Sequence, residues 1–113
     1  MKKEPKVFLE HINNSINHIE KYIASFSYEQ FSKNSQLQDA VVRRLEIIGE
    51  ATKNLPEEFR KKYPEIPWKL MAGTRDVMSH EYFGIDFIMI WNIIKKELPE
   101  LKIKIFNLLE SLN

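Results

Sequence analysis

The apolar residues at the start of this chain recur with a helical period. Leu9, Ile12, Ile16, Ile19, Ile23 and Phe26 are separated by steps of three, four, three, four and three. On an α-helix these positions form one stripe along one face, whereas on a strand they would scatter over both. His11, Asn14, Asn17, His18 and Lys21 lie off the stripe. A stripe of this length needs other helices to cover it, so the segment is expected to be a long helix packed in a bundle.

The same period runs through most of the remaining chain. Ser27-Tyr28-Glu29-Gln30 has the S-x-x-Q form of a capping box, and Ser35-Gln36-Leu37-Gln38 repeats it. These signals predict a short helical turn over 28–33 and a second long helix over about 36–54. Leu37, Val41, Leu45, Ile48, Thr52 and Leu55 form one face of that helix, while Val42 and Ile47 fall off it. A helix apolar on more than one side usually meets two partners, here either another helix of the chain or a second subunit. Pro56 and Pro67 both stand where a helix can begin. A short charged helix is expected over 56–63 and a longer one over 67–80. Gly84 reads as a stop or turn, and Asp86 as the N-cap of the next helix. Phe87, Ile90, Trp91, Ile94 and Leu98 line that helix. Pro99 is expected to interrupt it, and Leu101, Ile105, Leu108 and Leu112 line the last helix. No segment alternates like a strand. The expected fold is an all-α, up-and-down helical bundle with four to five main helices plus short ones.

Its 113 residues suit a single domain, 1–113, with one modest core. There is no cysteine, which excludes disulfides and thiolate zinc sites and is compatible with a cytoplasmic protein. Met1, Lys2, Lys3 and Glu4 lead directly into a helical pattern without an apolar signal region, and no membrane span is expected. The formal net charge of +1 gives no global field toward nucleic acid. Binding to RNA would therefore need a local patch or an assembled cleft.

Chemistry concentrates in Arg75-Asp76-Val77-Met78-Ser79-His80-Glu81-Tyr82. Arg75 and His80 form an R-x4-H pair, followed two residues later by Tyr82. Arginine is a fixed cation suited to phosphate, and histidine exchanges protons near neutrality. Asp76 and His80 share a face if a helix runs through both. A carboxylate there can fix the imidazole tautomer and leave the other nitrogen free to act. Arg75 and His80, five apart, are splayed on an ideal helix. Cleaving RNA without a metal requires a base for the 2′-OH, an acid for the leaving 5′-oxygen, and positive charge for the phosphorane between them. One copy of the motif offers one proton exchanger and one cation, whereas two copies offer two of each. The motif therefore makes more chemical sense at the two-fold axis of a homodimer. The residues also allow a simpler reading, in which Arg75 salt-bridges Asp76 or Glu81 and Tyr82 and Phe83 are core aromatics.

Arg44-Leu45-Glu46-Ile47-Ile48-Gly49-Glu50-Ala51, Ile66-Pro67-Trp68-Lys69, the Arg75–Tyr82 block and Ile90-Trp91 together resemble the HepT-like ribonuclease toxins of the HEPN superfamily. The likeness extends from about residue 5 to 112. One departure is Asp76, where many members of that family carry Asn. The resemblance implies a metal-independent endoribonuclease, without cofactor, acting as the toxin of a toxin–antitoxin pair. It implies a homodimer with the site at the subunit interface, Arg75 and His80 as the catalytic pair and Asp76 as their polar support. It also implies an MntA-like nucleotidyltransferase antitoxin that places AMP on the motif tyrosine, here Tyr82. An added phosphate and base would repel RNA and block the cleft. The alternatives are a catalytically silent HEPN module that binds nucleotide or RNA or scaffolds a nucleotidyltransferase, and a plain structural helical dimer.

Other residues have weaker claims. Glu50 could pair with Arg75 or another cation, but a partly buried carboxylate bridging helices is favoured. Gly49 suits a close helix approach. His11 and His18 lack further metal ligands at the usual spacings, so a solvated face is expected. Arg43, Arg44, Lys53, Arg60, Lys61, Lys62 and Lys69 could contact phosphate or serve as ordinary surface charge. Trp68 and Trp91 are expected to pack in the core rather than stack on bases.

Overall fold

The apolar stripe of the first helix is covered along its whole length. Leu9, Ile12, Ile16 and Ile19 are fully buried and Ile23 nearly so; each contributes about 1.5–3 kcal/mol relative to exposure. The computed structural model describes residues 4–80 and 86–112, with side chains described for 4–74 and 86–112. In chain order the elements are α1 (Pro5–Ile23), α2 (Tyr28–Ser32), α3 (Ser35–Asn54), α4 (Glu57–Lys61), α5 (Trp68–His80), α6 (Phe87–Asn92), a π-helical turn (Ile93–Glu97) and α7 (Leu98–Ser111). Among the described residues there is no strand, and the fold is an all-α bundle. No helix of the described residues is long and apolar enough to cross a membrane.

Helix α3 is the central element, packed against both α1 and α5, and α7 closes against α1. Its predicted face of Leu37, Val41, Leu45, Ile48, Thr52 and Leu55 is buried, and Val42 is buried on a second side. The off-stripe position of Val42 therefore does mark a second partner within the chain. Thr52 is fully buried, and its Oγ1 donates to the Ile48 carbonyl at 2.8 Å. Polar satisfaction of this kind makes a threonine tolerable inside a helix pair.

The turn after α1 follows the capping box. Ser27 Oγ accepts from the Gln30 N–H at 3.2 Å, and Gln30 Oε1 accepts from the Ser27 N–H at 2.8 Å. The second S-x-x-Q does not form a box. Helix α3 starts one residue earlier than that reading requires, because the Asn34 side chain accepts from the Leu37 N–H at 2.9 Å. Gln38 is thereby released to donate to the Phe31 carbonyl at 2.9 Å. Asn caps at least as well as Ser, and it stands immediately before the helix. Phe26 lies beyond the end of α1 and is half-buried rather than a member of the buried stripe.

Pro99 does not break the last helices apart. A proline ring clashes with the carbonyl four residues back and supplies no N–H. The backbone answers by widening into the π-helical turn over Ile93–Glu97, where the Leu98 N–H reaches the Ile93 carbonyl, and α7 then starts with Pro99 in its first turn. Ile94, Leu98, Leu101, Ile105 and Leu108 stay buried through the change of pitch, whereas Leu112 is exposed. A Lys102–Glu20 ion pair at 2.6 Å ties α7 to α1.

Ser15 gives a stability prediction. It is buried in the α1 interface, and among the described residues its Oγ has no hydrogen-bond partner. An unpaired buried hydroxyl costs about 1–3 kcal/mol, and alanine is the better helix former. Ser15→Ala should therefore raise unfolding stability by about 1 kcal/mol in urea titration. A loss of stability of that size would show that the hydroxyl has a partner such as a buried water.

Candidate active site on helix α5

Helix α5 is held at its start and at its middle. The Trp68 indole Nε1–H is shared between the carbonyls of Arg60 and Tyr63, each at 3.0 Å. This closes the α4–α5 connection. Trp68 is buried, as its apolar position predicted, while Trp91 is only half-buried, against Phe31. One turn further, Met71 is buried. Thr74 Oγ1 donates to the Met71 carbonyl at 2.7 Å and approaches the Leu45 carbonyl of α3 at 3.3 Å. Arg75 follows this anchored threonine directly.

The helix continues from Trp68 through Arg75, Asp76 and His80. The condition for an Asp76–His80 i, i+4 pair, an unbroken helix through both, is therefore met by the backbone. The side chains of Arg75, Asp76 and His80 lie outside the described side chains, and Tyr82 and Gly84 lie outside the described residues. Beyond the motif, α6 opens as expected on Asp86, whose Oδ1 accepts from the N–H groups of Ile88 at 2.9 Å and Met89 at 3.2 Å. Ile88 and Met89 are themselves exposed, as is Leu70 on α5.

The other candidates separate clearly. Glu50 is exposed on α3, which corrects the expectation of a partly buried bridging carboxylate: it falls two residues beyond buried Ile48, on the outer side of the helix. Gly49 is buried. His11 is exposed, whereas His18 is half-buried and its ring lies 6.1 Å from that of Tyr22. Among the described residues no group of three or more His, Cys, Asp or Glu could hold a metal ion. Arg43 pairs with Glu46 at 3.9 Å and Lys61 with Glu57 at 3.6 Å, as surface charges do.

One contact was not visible in the sequence. The Arg44 Nε–H donates to the Tyr22 hydroxyl across the α1–α3 seam at 3.4 Å. The i, i+4 spacing of His18 and Tyr22 was available as a signal, but nothing in the sequence pairs either residue with Arg44.

A fixed cation and an imidazole on one anchored helix can serve phosphate binding and proton transfer. Comparison with known proteins agrees with this class. The family model described as HepT-like, "Ribonuclease HepT-like", matches residues 12–107. A Methanocaldococcus jannaschii protein named "Gamma-glutamylcyclotransferase and putative RNase" is 48% identical over the whole chain, which spans only 51% of that protein. A "Putative RNase" of Caldanaerobacter subterraneus subsp. tengcongensis is 46% identical over 96% of this chain and 97% of its own length. A "Probable ribonuclease HepT" of Thermococcus cleftensis is 44% identical over 90% of this chain and 93% of its own. No solved structure matches the chain. The chain belongs to the HepT-like ribonuclease family.

Proposed function

We propose that this chain is a metal-independent endoribonuclease, the toxin of a HepT/MntA-like toxin–antitoxin pair, with a composite R-x4-H site at a homodimer interface. The observation that carries this is the continuous helix Trp68–His80, which holds Arg75, Asp76 and His80 on one rigid element in a member of a ribonuclease family. Relatives named as ribonucleases over nearly their whole length support the activity.

In the proposed reaction one His80 takes the ribose 2′-OH proton, and the 2′-oxygen attacks phosphorus. The bond to the 5′-oxygen breaks, and the His80 of the second copy protonates that oxygen. The products are a 2′,3′-cyclic phosphate and a 5′-hydroxyl. Both Arg75 guanidinium groups stabilise the charge that develops on the phosphorane. Asp76 orients the imidazole. The exposed Ile88 and Met89, at the start of the helix that follows the motif, support burial of this end against a second copy.

The MntA-like nucleotidyltransferase partner would transfer AMP from ATP to the Tyr82 phenol oxygen, releasing pyrophosphate. Each AMP adds negative charge and bulk beside the RNA path. Co-expression with that partner should add whole AMP units by intact mass and abolish RNA cleavage, whereas Tyr82→Phe should stay unmodified and active. Continued modification of Tyr82→Phe would move the target to another residue. A monomer by light scattering at micromolar concentration would sink the composite site. A dimer free of AMP that cuts no RNA would leave the silent binding module as the better account.

A further inference from the structure

Arg44 is half-buried between α1 and α3. Among the described residues its guanidinium meets one polar partner, the neutral Tyr22 hydroxyl. The two carboxylates nearest the pair in sequence are engaged elsewhere, Glu20 with Lys102 and Glu46 with Arg43. An arginine stays charged in such a place and offers five N–H donors, of which the tyrosine takes one. Partial desolvation of a cation that meets no carboxylate among the described residues leaves room for an anion. The Tyr22 hydroxyl, which among the described residues only accepts from Arg44, can donate to the same anion. The Tyr22 and His18 rings offer flat faces beside it.

The position matters as much as the chemistry. Thr74 of α5 touches the Leu45 carbonyl of α3 at 3.3 Å. Arg44 precedes Leu45 and Arg75 follows Thr74, so the two arginines flank one cross-helix contact. They stand at the same level along the bundle, on neighbouring helices.

We infer that Arg44 and the Tyr22 hydroxyl form a phosphate-binding subsite for single-stranded RNA, flanking the Arg75–His80 site. This rests on the ribonuclease reading, and it assigns to Arg44 a phosphate other than the one being cleaved. The competing account is that the arginine stem merely covers the α1–α3 seam. Arg44→Met keeps that stem and removes the charge, and Arg44→Lys keeps a charge.

The test is binding of a fluorescent single-stranded RNA of about a dozen nucleotides to the His80→Ala protein, which holds RNA without cutting it, over a range of salt concentrations. Adding Arg44→Met should weaken binding roughly five- to tenfold and reduce the slope of log affinity against log salt by about 0.7, the value for one phosphate contact on a single strand. Arg44→Lys should keep the slope, and Tyr22→Phe should weaken binding less than Arg44→Met. Thermal melting reports whether each variant is folded, and the slope of Arg44→Lys serves if Arg44→Met is not. Unchanged affinity and slope in folded Arg44→Met, while the parent binds RNA, would overturn the subsite and leave the ribonuclease reading standing. A parent dimer that neither binds nor cuts RNA would overturn both.

Discussion

Replacing His80 with alanine is expected to slow RNA cleavage by roughly 10²–10⁴-fold, the usual contribution of a positioned general acid–base group. Alanine can neither accept the 2′-OH proton nor return one to the leaving 5′-oxygen. In a two-fold site the substitution removes both exchangers at once, so the upper part of that range is expected. His80 is the last residue of α5, and its loss should leave the buried anchors Trp68 and Met71 in place. The measurement is cleavage of an end-labelled RNA in EDTA by unmodified protein, with melting curves for both forms. Loss of cutting with melting preserved, and a 2′,3′-cyclic phosphate end from the parent, is the expected result. Cleavage within threefold of the parent would remove His80 from the reaction. Mixed dimers give a second check. A dimer of one parent and one His80→Ala subunit keeps only one of the two histidines that a shared site uses, so it should cut far more slowly than half the parent rate. Half the parent rate from a confirmed mixed dimer would argue against a shared site.

Periodicity carried most of the fold because each stripe has one physical solution. The Leu9–Ile23 stripe and the Leu37–Leu55 face are buried as their spacing requires, and Asp86 caps α6 because carboxylate oxygens bond free helix N–H groups wherever they precede a helix. The errors came where two local solutions compete. Asn34 outbid Ser35 as the cap of α3. Pro99 was absorbed by a π-helical turn, not a break, because the apolar face on both sides continues into one core. Glu50 was misjudged as partly buried because its apolar neighbours in sequence lie on other faces of the helix. The candidate site was legible as a string, since R-x4-H fits within a helix turn or two and needs no tertiary knowledge. The Arg44–Tyr22 contact joins residues 22 positions apart, and only the crossing of α1 and α3 brings it about.

Phe31→Ala should cause the largest loss of stability, about 3–5 kcal/mol, the typical cost of truncating a fully buried phenylalanine. Phe31 belongs to α2, a helix of five residues too short to persist without tertiary contacts. It is fully buried, edge-on to Phe87 with ring centroids 6.0 Å apart and an interplanar angle of 81°. It also packs against Trp91 at 5.2 Å. Its carbonyl receives the Gln38 side chain. The ring thus joins α2 to α6, the helix that follows the Arg75–Tyr82 block, while the main-chain carbonyl ties α2 to the first turn of α3. Domains of this size hold only about 5–15 kcal/mol in total, so roughly a fifth or more of the stability rests on this ring. Urea unfolding at fixed protein concentration should show it as a lower midpoint with an unchanged slope. Phe31→Leu, which refills most of the cavity, should recover more than half of the loss. A loss below about 1 kcal/mol for Phe31→Ala would mean that α2 is dispensable to the core. The functional consequence follows from connectivity. Loosening α6 loosens the far end of the segment that starts at His80, so activity in Phe31→Ala should fall at temperatures where the bundle is still folded.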